Sequence, residues 1–142
     1  QNWPQIPNPF SLVPAFPYEK QERYVPPEKD FWAVYDIMPE DDQVMMLCFL
    51  HTAARRNEIF SLKWSDVDFA NKRIRLWTKK RKGGKEFDWV PMTEDLHNAL
   101  LRHRGKYGQY EYVFVVTDKD SPHYGQPYKS RQHWLRTWCK RA

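Results

Sequence analysis

The chain predicts a mainly α-helical fold with one small antiparallel β-sheet, an α+β arrangement. Apolar residues recur at helical spacing after residue 27 and again after residue 93. Between these regions, residues 73–92 alternate basic or polar with apolar side chains around the pair Gly83-Gly84, the pattern of a hairpin. A length of 142 residues with 41% hydrophobic side chains, including seven Trp, eight Tyr and eight Phe, suffices for a single modest core. Eleven prolines and a mean hydropathy of −0.87 leave much of the chain exposed or irregular.

Seven of the eleven prolines fall in the first 27 residues. Each fixes φ and lacks a backbone donor, so residues 1–26 are expected to form an extended arm or linker and residues 27–142 the folded domain. Phe31, Val34, Tyr35 and Met38 lie at i, i+3, i+4 and i+7, with Glu28 and Asp30 in the first turn opposing the helix dipole; Pro39 ends that helix. Glu40-Asp41-Asp42 opens a second helix through Val44, Leu47, Cys48 and Leu50, and a short third is expected over 57–64. The hairpin follows, with Lys79, Lys80, Arg81, Lys82 and Lys85 at its tip. Thr93 is a good N-cap for a helix reaching Tyr107, with Leu96, Ala99 and Leu100 on its inner face. Residues 112–116 read as a short strand or extended run. A final helix capped near Ser130 places Trp134, Leu135 and Trp138 at helical spacing.

A net charge of +5 and a pI near 9.2 are only mildly basic, but the distribution is uneven. Eight of the 23 Lys and Arg lie in residues 72–85 and five more in residues 127–142, with no acid in either stretch. Segregated cations of this kind attract a polyanion and make its binding salt-dependent. Several other classes are disfavoured. The apolar run over 44–50 is far shorter than the ~18 residues that span a bilayer, and no signal segment opens the chain, so the expectation is a cytoplasmic protein without a membrane partner. Cys48 and Cys139 have no metal spacing and read as reduced, partly buried thiols. His97 and His103 lack zinc spacing, and no Gly-rich phosphate loop occurs, so neither metal nor cofactor is expected. Trp64, Trp77 and Trp89 could stack on bases, but in helix and hairpin patterns such residues are more often core.

The most informative segment places Arg55, Arg56 and Glu58 in the run Thr52-Ala53-Ala54-Arg55-Arg56-Asn57-Glu58-Ile59, followed by Leu62-Lys63-Trp64-Ser65-Asp66-Val67-Asp68. With the basic hairpin closing on Val90-Pro91-Met92 and the helix from Thr93, this order resembles the catalytic domain of tyrosine recombinases, the phage integrase family. Ala53 departs from the family pattern, which usually has glycine there. The resemblance implies that Arg55 holds the non-bridging oxygens of a scissile phosphate, and a planar guanidinium suits that task. It implies that Glu58 supports the site and that a hairpin lysine protonates the leaving 5′ oxygen. Lys79 or Lys80 occupies that place, with Lys82 a third candidate if the strand extends further. Arg56, Arg81, Lys82, Lys85 and Arg131 are the expected DNA-backbone contacts.

The family completes its site with a His-x-x-Arg segment and a tyrosine nucleophile. His133-Trp134-Leu135-Arg136 has that spacing but comes too early after Pro91 and lies in the final tryptophan-rich helix, and no tyrosine follows Tyr128. The expectation is therefore a catalytic-domain fragment that binds double-stranded DNA without cutting it. The intact enzyme would integrate or recombine DNA as a tetramer, while the fragment would be a monomer. Two alternatives stand beside this reading: a non-catalytic DNA-binding module that kept the fold, and a protein-interaction domain whose basic hairpin meets an acidic partner.

Overall fold

The computed structural model describes Glu22, residues 25–81 and residues 84–142; of Lys79, Lys80, Arg81 and Lys85 it describes the backbone alone. Most of the proline-rich arm, and the candidate Lys82, therefore lie outside the described residues. Helix α1 (Glu28–Asp36) begins after Pro27, whose fixed φ suits a helix start, and turns Phe31, Val34 and Tyr35 inward. Helix α2 (Glu40–Thr52) starts after Pro39 with three acids in its first turn and buries Val44, Met45, Leu47 and Cys48. Cys48 is fully buried, which pushes its thiol pKa well up and keeps it protonated. Cys139 is exposed, contrary to its reading as a partly buried thiol.

Helix α3 (Arg56–Phe60) is shorter than the span expected over 57–64. The cause is tertiary: the Val113 N–H donates to the Leu62 carbonyl (2.9 Å) and the Trp64 N–H to the Glu111 carbonyl (3.1 Å), so the chain leaves the helix and is extended at Lys63. These bonds also account for the buried extended run through Val113, Phe114 and Val115. A single 3-10 turn, Trp64–Asp66, leads into β1 (Val67–Asp68), a strand the sequence pattern did not announce.

The sheet has three antiparallel strands in the order β1, β2 (Arg73–Arg81), β3 (Gly84–Pro91). Alternation buries Ile74 and Leu76 against the helices and turns Arg73, Arg75 and Trp77 the other way. Helix α4 (Glu94–Tyr107) is capped by Thr93, whose Oγ1 accepts from the Leu96 N–H at 3.4 Å, and buries Leu96, Ala99 and Leu100 against α2. Complete burial of a leucine contributes about 1.5–3 kcal/mol, so the α2–α4 contact is a principal anchor of the fold. The last helix, α5 (Trp134–Cys139), starts three residues later than a cap at Ser130 would place it, and buries no residue fully. Arg131, in the turn ahead of it, donates to Asp42 (2.7 Å), and Trp138 Nε1 donates to the same carboxylate (2.9 Å).

Candidate functional site

The site begins where α2 ends. Thr52 Oγ1 donates to the Cys48 carbonyl (2.6 Å) and accepts from the Ala54 N–H (3.2 Å). Between them Ala53 takes the left-handed conformation, φ 49° and ψ 24°, which reverses the chain sharply. That turn delivers Arg55 to the N-cap of α3. Buried Ile59 and Phe60 then fix this short helix to the core.

Glu58 grips Arg55 twice: Oε2 accepts from the Arg55 N–H (2.8 Å) and Oε1 from its Nη1 (3.0 Å). The same Nη1 donates to Thr78 Oγ1 (3.2 Å), tying α3 to β2. The Arg55 side chain is 54% exposed and that of Glu58 13%, so the carboxylate is the sheltered partner and the guanidinium faces solvent. Both side-chain bonds of Arg55 use Nη1. Among the described residues Nε and Nη2 meet no acceptor, which leaves their donors for one arriving from outside.

Arg55 and Glu58 border a cleft of about 1060 Å³. Its lining includes four cations (Arg55, Arg56, Lys63, Arg75) and two carboxylates (Glu58, Asp66). Asp66, only 3% exposed, anchors the floor: its Oδ1 accepts from Arg75 Nε (2.8 Å), Arg75 Nη2 (2.7 Å) and Trp77 Nε1 (3.0 Å). All three contacts converge on the one oxygen, so Asp66 ties Arg75 and Trp77 together from below. At one wall, Lys63 donates to Glu111 (2.7 Å), which raises the lysine's pKa and keeps it cationic. Among the described residues no group of three or more metal-ligating side chains gathers. Both cleft carboxylates are already engaged by guanidinium groups.

The structure brings Arg55, Glu58 and Arg56 to one cleft. Lys79 follows Thr78 directly in β2, which puts the candidate lysine segment beside the residue Arg55 touches. The side chains of Lys79, Lys80, Arg81 and Lys85 are outside the description, as is Lys82. Arg131 stands elsewhere: it is bound to Asp42 and lies over the rings of Tyr128 (4.6 Å) and Trp134 (5.2 Å), joining the last turn to α2. His133 and Arg136 are exposed and do not line the cleft.

Sequence reasoning missed Thr78, Asp66, Arg75 and Trp77 as parts of the site. The alternation of β2 was the available signal, since it puts Arg75 and Trp77 on the face opposite buried Ile74 and Leu76. The reading of three tryptophans as core also needs correction. Trp64 is half-buried, with Nε1 donating to the Tyr107 carbonyl (3.1 Å), but Trp77 lines the cleft and Trp89 is 39% exposed. The two sit on the outward face of a hairpin that has no second layer over it among the described residues.

Comparison with known proteins agrees with the fold. The structure of XerA recombinase superposes with a TM-score of 0.68 at 18% identity, covering 89% of this chain and 45% of that one. The Tn1549 transposon integrase, in complex with transposon right end DNA, gives 0.57 at 17% identity, covering 78% and 42%. At these identities the likeness is one of fold, and the chain spans less than half the length of either structure. A search of curated proteins finds no match. The phage integrase family model matches residues 28–142, the whole span from the start of α1 onward that contains the Arg55 motif, the hairpin and the capped helix, and the chain belongs to that family.

Proposed function

We propose that this chain is the phosphate-binding part of a tyrosine recombinase, and that it binds duplex DNA in the Arg55 cleft as a cytoplasmic monomer without cutting it. The observation that carries the reading is the guanidinium of Arg55, fixed by Glu58 and Thr78 through one nitrogen while its remaining donors face an open cationic cleft. A phosphodiester placed there meets a pre-oriented planar fork. Two charge-assisted bonds to its non-bridging oxygens stabilise the ground state and, more strongly, the charge that builds up as the phosphorane forms. Glu58 supplies orientation, because losing it frees both the backbone and the side chain of Arg55. A lysine of the hairpin, Lys79, Lys80 or Lys82, protonates the departing 5′ oxygen in this reading. Arg56, Arg81 and Lys85 add backbone contacts; Arg131 is already engaged by Asp42 and is left out. Family membership supports a DNA partner, as does the Tn1549 integrase, which was seen with DNA.

The test is duplex affinity measured against salt. Arg55→Ala is expected to weaken binding about tenfold or more, the value of a hydrogen bond to a charged group, and Arg55→Lys to recover only part of it. A Lys79→Ala, Lys80→Ala, Lys82→Ala triple variant is expected to flatten the log–log salt slope by about 0.9 for each phosphate that is no longer neutralised. Absence of binding at low salt, or nicking of the duplex by the chain alone, overturns the proposal.

A further inference from the structure

The hairpin sorts its side chains by chemistry. In the β2–β3 register Leu76 faces Asp88 and Thr78 faces Glu86, whereas Arg75 faces Trp89 and Trp77 faces Phe87. Cross-strand partners share a face, so the carboxylates Glu86 and Asp88 fall on one side and Arg75, Trp77, Phe87 and Trp89 on the other. On that second side the rings form a continuous ladder: Trp77 to Phe87 is 5.1 Å between centroids and Phe87 to Trp89 is 6.3 Å. Guanidinium groups lie over it, with Arg73 at 4.2 Å from Trp89 and Arg75 at 5.1 Å from Trp77.

This ladder is open to solvent where it leaves the cleft. Phe87 is 45% exposed and Trp89 39%. A contiguous aromatic patch on a surface marks an interaction site more often than a lone exposed ring does. Its inner end is the cleft itself, since Arg75 and Trp77 also line that cavity. The two arginines are already neutralised, Arg73 by Asp68 (3.0 Å) and Arg75 by Asp66 (2.8 Å). They therefore offer planar surfaces rather than spare charge, which fits a π-faced ligand better than a carboxylate-rich peptide.

We infer that the Trp77–Phe87–Trp89 face is a stacking platform for unpaired DNA bases whose backbone phosphate lies in the adjoining cleft. The inference rests on the reading of that cleft as a phosphodiester site. Bases in a continuous duplex have both faces covered by their neighbours, so a platform whose outer rings, Phe87 and Trp89, are exposed discriminates in favour of bases released from pairing. DNA that is locally unpaired at the bound phosphate then binds more tightly than fully paired DNA of the same length and charge.

The experiment compares a fully paired duplex with the same duplex holding three unpaired bases at its centre, using binding constants and tryptophan fluorescence. The wild-type chain is set against a Phe87→Leu, Trp89→Leu double variant, in which both exposed sites keep apolar side chains and lose their rings. The expected result is an affinity on the order of tenfold higher for the unpaired DNA, with quenched fluorescence. In the double variant that preference disappears, while the affinity for paired duplex and its salt slope persist. Equal affinity for the two DNAs, or a preference the double variant retains, overturns the inference and leaves the phosphate-site reading intact. Failure to bind either DNA at low salt overturns both. Quenching by poly-glutamate with no response to DNA assigns the face to an acidic protein and also overturns both.

Discussion

Replacing Ala53 by glycine should stabilise the protein, although glycine usually does the opposite. Ala53 sits in the left-handed region (φ 49°, ψ 24°) at the end of α2, where a Cβ crowds the backbone. For an L-residue this conformation costs roughly 1–2 kcal/mol, and glycine is spared that cost. Against it stands the extra freedom glycine gives the unfolded chain, about 0.4–1 kcal/mol. Ala53 is exposed, so deleting its methyl group sacrifices no burial. The balance is a net gain of roughly 0.5–1 kcal/mol. With a urea m-value of about 1–3 kcal/mol/M, the unfolding midpoint should rise by about 0.2–1 M at unchanged m. The neighbouring residue supplies the control. Among the described non-glycine residues only Ala53 and Lys72 have positive φ, so Ala54→Gly keeps the entropy cost, gains no relief and should lower the midpoint. The reasoning is refuted if Ala53→Gly lowers the midpoint as Ala54→Gly does. Since Arg55 is held by Glu58 and Thr78, duplex affinity should change less than twofold in Ala53→Gly.

Two further perturbations probe the groups behind the site. Asp66→Ala strips the partner from Arg75 and Trp77 in a buried setting and should cost about 2–4 kcal/mol, below the 3–5 typical of fully buried pairs because Arg75 is 29% exposed; Asp66→Asn, which keeps an acceptor, should cost less than half as much. Urea melts decide this, and a cost under about 0.5 kcal/mol for Asp66→Ala would show the network to be idle. His103 is 4% exposed, and burial lowers its pKa below the ordinary 6.5, outweighing the nearby Asp41 carboxylate. Its folded form is thus neutral while the unfolded form gains a proton below about pH 6.5. Stability from this group is complete above pH 6.5 and falls as pH drops from there towards the folded value, by at most about 1.4 kcal/mol per pH unit. His103→Gln should flatten the melting-temperature profile between pH 7 and 5.5; an unchanged slope would remove His103 as its source.

The elements legible in the sequence were those whose signals are contiguous. Pro27 and Pro39 at helix starts, Thr93 as a cap, the 3.6-residue period of α1 and α4, and the alternation of β2 all act within a few residues, so local sterics and solvation determine them. The pairing of Arg55 with Glu58 was legible for the same reason, being three positions apart on one turn. Ala53 could be singled out only as a departure from glycine; its backbone angles gave that departure a physical meaning.

What only the tertiary structure decided depends on residues far apart in the chain. The Arg55–Thr78 bond spans 23 positions and the Trp138–Asp42 bond 96, and no local propensity encodes either. The short α3 followed because Leu62 and Trp64 found backbone partners in residues 111–113 that outcompeted another helical turn. Arg131 looked like one more cation in a basic tail until the fold placed the Asp42 carboxylate 2.7 Å away. Likewise, Trp89 read as core from its pattern, yet the hairpin reaches past the helices and leaves its ring in solvent. Sequence by itself determined most of the helix and strand segments, β1 and the end of α3 excepted, and where cations concentrate. Tertiary structure decided which charges are neutralised and which remain open to a ligand, because a charge is neutralised by whatever the fold places a few ångströms away, whatever its distance along the chain.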